Sequence, residues 1–181
     1  LGRFALADSA LDRCVELNPV RPGTLFLRGW IRESTGRQDE AIGLYEEHLE
    51  IHPSDFATRR RLVVLLSRVG RSAEAYRQSR VLTEARPEDP DAILVEAECA
   101  FAAGKSAEGE RALERLRALA PSDPELVLRS LAVLSRHERG RSAVKVADSW
   151  AQARPGDPRG ISLSARARAL AGDFDSAAVY A

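Results

Sequence analysis

The 181-residue sequence holds two cysteines, two lysines, two tryptophans and no methionine, and aromatic side chains make up only 6% of it. Two cysteines exclude the disulfide-dense framework of small secreted domains. Isoleucine, threonine and aromatics, which favour strands, are scarce, whereas alanine, leucine, arginine and glutamate dominate; the balance points to helix. Lysine gives way to 25 arginines, a skew expected of a GC-rich, bacterial genome. The formal net charge is zero, so nothing at whole-chain level recommends nucleic acid or an anionic membrane as partner. No apolar run approaches the ~20 residues needed to insert across a bilayer. With 44% hydrophobic and 30% charged residues, the composition is that of a folded chain rather than a disordered one.

What is present is a period. Pro19, Pro53, Pro87, Pro121 and Pro155 stand 34 residues apart. Gly2, Gly36, Gly70, Gly104 and Gly172 keep the same spacing, with one slot filled by Glu138. Two series at one interval mark an internal repeat. Cys14 and Cys99 are two and a half repeats apart, too far to bridge in a stack of such units, and each is read as a small buried hydrophobe within a helix.

Residues 56–89 show what one repeat contains. "FATRRRLVVLLSRVG" reads as a helix of about four turns, halted at Gly70, the residue type that tolerates a left-handed C-cap. "RSAEAYRQSRVLTEARP" reads as a second helix, with Ser72 as N-cap, Glu74 in its first turn, and Pro87 preventing continuation. In Asp89-Pro90, Asp123-Pro124 and Asp157-Pro158, the aspartate takes the N-cap and the proline the first helical position, where a missing N–H costs nothing. The phrase P-x-D-P therefore stops one helix and starts the next.

A 34-residue helix–turn–helix unit of this kind resembles the tetratricopeptide repeat, whose pattern is W-x2-L-G-x2-Y…A-x3-F…P. Residues 22–55 carry the resemblance best. Gly29 stands where the paired helices approach, Gly36 at the turn, Ala41 and Tyr45 in the second helix, and Pro53 at its end. The alanine recurs at Ala7, Ala75, Ala143 and Ala177, and Gly109 replaces it once. The family's Trp-Leu-Tyr positions hold Leu25, Arg28 and Arg32 here. The resemblance implies an all-α, right-handed superhelical solenoid of antiparallel helix pairs. Its expected organisation is a single array over 1–181. Residues 1–21 form the second helix of a truncated repeat, 22–55, 56–89, 90–123 and 124–157 are full repeats, and 158–181 is a partial one. The chain is expected to be a piece of a longer protein. In the fourth full repeat Gly140 stands in for the turn glycine, so a longer first helix and a later second helix are expected there.

Net charge per full repeat runs −4, +4, −3 and +2. Such alternation lets neighbours complement one another. A sharper reading is that Arg59, Arg60, Arg61 and Arg68 form a patch for an acidic partner.

The sequence carries no catalytic constellation. His48 and His52 share a helix face, but the order is not H-E-x-x-H, and neither metal nor cofactor is expected. His137, between Arg136 and Glu138, reads as a solvated loop residue. There is no nucleophile-elbow serine, phosphate loop or dinucleotide fingerprint. The serines of "GRSA" at 70–73 and 140–143 sit where N-caps belong.

The resemblance supplies the functional expectation: a concave groove, lined by the first helix of each repeat, that holds a peptide or partner segment. Carried over residue by residue, the groove positions are Phe26 and Trp30, then Arg60 and Val64, then Leu94 and Glu98, then Leu128 and Ala132, then Ser162 and Arg166. The subclass that holds chaperone C-terminal carboxylates is not matched, since Phe26, Trp30 and Asp91 occupy its basic and amide positions. A non-catalytic scaffold is expected, in a cytoplasmic or periplasmic compartment that the sequence leaves open. The alternatives are an accessory region of a larger transferase or envelope-export assembly, and self-association through end repeats stripped of their caps.

Overall fold

The structure, a computed structural model, describes residues 23–121 and 123–173, together with Ala10 and Arg13. Cys14, Pro19, Gly2, Ala7 and Ala177 lie outside the described residues. Among the described residues there are nine helices and no strand. They are α1 Thr24–Ser34, α2 Gln38–Ile51, α3 Phe56–Arg68, α4 Ser72–Ala85, α5 Pro90–Ala102, α6 Ser106–Leu119, α7 Pro124–Arg136, α8 Gly140–Ala153 and α9 Pro158–Leu170. The chain falls into two compact units, divided between Leu82 and Thr83.

The aspartate caps form as the sequence demands. Asp55, Asp89, Asp123 and Asp157 each precede a first helix with extended backbone; the first three side chains accept from two backbone N–H groups of that helix's first turn, and Asp157 accepts from one, that of Arg159. The exception is α1, which has no Asp-Pro and starts from Gly23 with φ 89° and no side-chain cap.

First helices end in a Schellman motif that repeats at the sequence period. Arg71 N–H donates to Leu66 O (2.9 Å) and Gly70 N–H to Ser67 O (3.2 Å). The same two bonds recur after α1, α5, α7 and α9. The left-handed residue is Gly36, Gly70, Gly104 or Gly172 in four cases, with φ between 74° and 80°, and Glu138 with φ 56° in the fifth. The expected irregularity is therefore absent. The first helix α7 has the same 13 residues as α3, α5 and α9, and α8 starts 34 residues after α6. Glu138 adopts the strained conformation itself, and Gly140 is a glycine for another reason. A Cβ there would lie 2.4 Å from Ala171 Cα and 2.5 Å from Leu170 O, so its absence lets the end of α9 close on the start of α8.

The second helices begin differently from expectation. Arg71, whose carbonyl accepts from Ala75 N–H, holds the cap position, and Ser72 is the first helical residue. In place of a serine cap, Arg37 and Arg71 make two-pronged bonds to Glu40 and Glu74 three residues on (2.6 Å each). Ser142 lies inside α8 and donates to Glu110 (2.7 Å).

In the first unit α1 packs on α2 and α2 on α3. Its core holds Ile31, Ile42, Tyr45, Leu62, Leu65 and Leu66, all under 5% exposed. In the second unit α5 pairs with α6 and α8 with α9, α7 packs on α6 and α8, and the first helices α5, α7 and α9 touch in succession. One continuous core runs through it, from Ile93, Leu94 and Phe101 through Leu116, Leu131 and Leu134 to Trp150 and Leu163. Helical spacing puts Ala143, Ala147 and Trp150 on one face of α8, so each buries against its neighbours.

Candidate interaction surface

In the first unit the exposed face is built on α1 and α3. Leu27, Trp30 and Val64 are large apolar side chains left 44%, 41% and 46% exposed. The two helices are held side by side by Glu33. Its carboxylate accepts from Arg61 Nε (2.7 Å) and Arg68 Nη1 (3.3 Å) on α3, and from Tyr45 Oη (3.0 Å) on α2. Burial opposes ionisation of Glu33, but the hydrogen bonds from Arg61 and Tyr45 and the charges of Arg61 and Arg68 hold its carboxyl below the usual carboxylate range. Burial, then the Glu33 carboxylate, push the Tyr45 phenol well above its usual value.

The four-arginine patch is largely used up by this arrangement. Arg61 and Arg68 serve Glu33, while Arg59 donates to Gln78 and to Pro53 O (2.8 Å). Among the described residues, Arg60 alone of the four makes no ion pair or hydrogen bond, and it is exposed. Phe26 is half-buried and leans on the second helix, 5.8 Å from the Tyr45 ring and 6.3 Å from that of His48. It supports the face more than it presents itself. His48 is buried and its Nε2 lies 2.9 Å from Asp55 Oδ2, so it ties α2 to the cap of α3. Burial raises the Asp55 carboxyl, but hydrogen bonds from Thr58 and His48 bring it below the usual value. Among the described residues no three His, Cys, Asp or Glu side chains converge as a metal site requires.

In the second unit the same positions lie on α5, α7 and α9. Leu94 is a correction. It is 4% exposed and belongs to the hydrophobic core, because α5 is sheltered by α6 and α7. Leu128 is 42% exposed, and Ala132, Ser162 and Arg166 are exposed. Glu98 is paired with Arg136, and Asp91 with Arg129 Nη2 (2.6 Å). These pairs, like Glu33 with Arg61, join an acidic repeat to the basic one after it, which accounts for the alternating charge. Sequence reasoning missed Glu33; the signal for it was that alternation, with acids on one first helix facing arginines on the next.

His137 is also a correction. It caps the end of α7 with its ring 5.5 Å from that of Phe101, and burial followed by the charges of Arg136 and Arg139 lowers its pKa. Cys99 is a buried thiol of α5.

Residues 22–131 match the family described as the tetratrico peptide repeat, more than half of the chain. The chain belongs to the tetratricopeptide repeat family. It is 35% identical over 71 residues to human tetratricopeptide repeat protein 7B, a match that covers 39% of this chain and 8% of that protein. The chain thus spans a small part of that curated relative's length. In fold it is similar to a tetratricopeptide repeat protein from Parabacteroides merdae, with a TM-score of 0.69 at 15% identity over 99% of this chain and 71% of the other. It is similar also to YrrB, described as a TPR protein with an unusual peptide-binding site, with a TM-score of 0.61 at 15% identity over 94% of this chain and 88% of the other. The fold is an all-α repeat solenoid of helix pairs. The family is typically a scaffold for protein–protein interaction. Among the described residues no helix is long and apolar enough to cross a membrane.

Proposed function

We propose that this chain is a non-catalytic interaction module that holds a peptide or partner segment on its first-helix faces. The observation that carries the reading is the face of α1 and α3, where Leu27, Trp30 and Val64 stay exposed beside the uncommitted Arg60. A large aromatic flanked by aliphatics and a cation suits a segment with apolar anchors and a nearby carboxylate. Glu33 holds the two helices in place without occupying that face. Leu128 and Arg166 offer a second, sparser set of contacts in the other unit. YrrB's description as peptide-binding adds support by analogy of fold alone.

The test is calorimetric titration with peptides tiled across proteins encoded by neighbouring genes, against the wild type, Trp30→Ala and Arg60→Glu. Both substitutions replace exposed side chains, so helicity should be unchanged. Binding lost in Trp30→Ala and weakened at least fivefold in Arg60→Glu supports the reading. Equal binding to all three proteins overturns it.

A second reading, an accessory region within a larger enzyme or export assembly, draws on the short share of the human relative that this chain spans. Under it the same face would engage another domain, and a protein expressed with its flanking sequence would show Trp30 already covered.

A further inference from the structure

Among the described residues of the first unit, the exposed large apolar side chains are Leu27, Trp30 and Val64 on the α1 and α3 face, Ile51 at the end of α2, and Val81 on α4. Ile51 is the barest of them, at 51%. Gly43, Glu47, Glu50 and Ile51 are exposed in turn at i, i+4, i+7 and i+8 of α2, so they form one stripe. The opposite side of α2, with Ile42, Tyr45 and Leu49, is buried where α2 packs on α1 and α3. The stripe therefore points away from the α1 and α3 face. Charge sets it apart as well. Glu33 is engaged by Arg61 and Arg68, and Glu46 lies close enough to Arg71 to stabilise its charge. Among the described residues Glu47 and Glu50 make no ion pair or hydrogen bond, so part of the acidic surplus of residues 22–55 is left facing outward beside Ile51. Val81 instead stands among Arg77, Arg80 and Glu84, two cations to one acid.

An exposed aliphatic flanked by unpaired carboxylates is the complement of an exposed aromatic flanked by aliphatics and the unpaired Arg60. In such a contact the apolar anchor supplies affinity, and the charges select partner and register. We propose that the α1 and α3 face of one copy receives the α2 stripe of a second copy, with Ile51 between Trp30 and Val64 and with Glu47 and Glu50 beside Arg60. The inference rests on the reading of that face as a partner surface and names its occupant as this chain itself. Stripe and face are different patches on different sides of the unit, so the contact is heterologous. Each copy gives its stripe, receives another's, and adds head to tail. Two-fold pairing is disfavoured through either patch: face on face sets Arg60 against Arg60, and stripe on stripe sets carboxylates against carboxylates.

The test is sedimentation velocity of the full chain at rising concentration up to ~1 mM, enough to populate a contact of millimolar affinity. The mass should rise with concentration and pass beyond that of a dimer. Over the same range the Trp30 indole proton should shift, while that of Trp150, 2% exposed, stays as internal control. Arg60→Glu sets a carboxylate against the stripe, and Glu47→Arg with Glu50→Arg sets guanidinium groups against Arg60. Each of these proteins alone should associate at least fivefold more weakly than the wild type. An equimolar mixture of the two should recover association: the unchanged stripe of the first fits the unchanged face of the second, and the reversed patches fit each other. A variant that had merely lost its fold could not recover on mixing. A wild type that stays monomeric, or a mixture no better than its components, overturns the proposal. So does association equally strong in the wild type and both variants, which would lie on another surface. A monomeric wild type that still binds a foreign peptide at Trp30 sinks this inference alone, whereas failure of the face reading sinks both.

Discussion

Arg61 on α3 donates its Nε–H to the half-buried Glu33 carboxylate of α1 across 2.7 Å, and the bond joins two successive repeats at the edge of the candidate face. Because Tyr45 donates to the same oxygen, one carboxylate fixes a first helix to its own partner and to the next repeat.

Glu33→Gln should destabilise the protein by about 1–3 kcal/mol, since it removes a charged acceptor shared by three donors. The effect should depend on pH with a definite sign. Glu33 has a lowered carboxyl pKa in the folded state, so the unfolded state binds more protons as pH drops below the ordinary value of 4.5. The stabilisation is full above that value and lost as pH falls through the folded pKa. Melting temperatures of wild type and Glu33→Gln, well apart at pH 7, should converge in strong acid.

Glu138→Gly should stabilise the fold by about 0.5–1 kcal/mol. A non-glycine residue in the left-handed region costs ~1–2 kcal/mol, and glycine's extra freedom in the unfolded chain offsets part of the gain. Urea denaturation should show a higher midpoint at unchanged slope. Glu138→Ala, which keeps a Cβ, should show no comparable gain.

These two residues show which parts of the molecule were legible in the sequence. The Asp-Pro caps and the turn glycines act through bonds within four residues, so their period and chemistry could be read directly. The shift expected around Gly140 was wrong because Glu138 accepts strain to keep the helix in phase, a trade that depends on the packing of Gly140 against Leu170 and Ala171. Glu33 was not legible because its partners lie 12, 28 and 35 residues away. Leu94 and Leu128 occupy the same repeat position, yet one is core and the other exposed. Periodicity assigns them the same face, and only the neighbouring helices distinguish them.

Gly109→Ala should cost about 1–3 kcal/mol, because the new methyl would lie 2.7 Å from the Phe101 ring. Phe101→Leu in the same chain should recover part of the loss, since it clears the space. A thermal-melt double-mutant cycle checks the coupling. Gly29→Ala, with its Cβ 2.6 Å from Tyr45, should behave alike.

Asp89→Ala should cost about 0.5–2 kcal/mol by leaving Asp91 and Ala92 N–H groups of α5 without their acceptor. Asp89→Asn should lose much less, because the amide oxygen can still cap. Amide exchange in the first turn of α5 should rise in the alanine variant and stay near wild type in the asparagine one.

The central claim is that partners engage the face of α1 and α3. The most direct measurement follows the two indole N–H signals in one spectrum as a binding peptide is added to saturation. The account predicts that the Trp30 signal moves with the bound fraction and that Trp30→Ala abolishes binding. A peptide that binds with Trp30 unmoved, and equally well to Trp30→Ala, would contradict it.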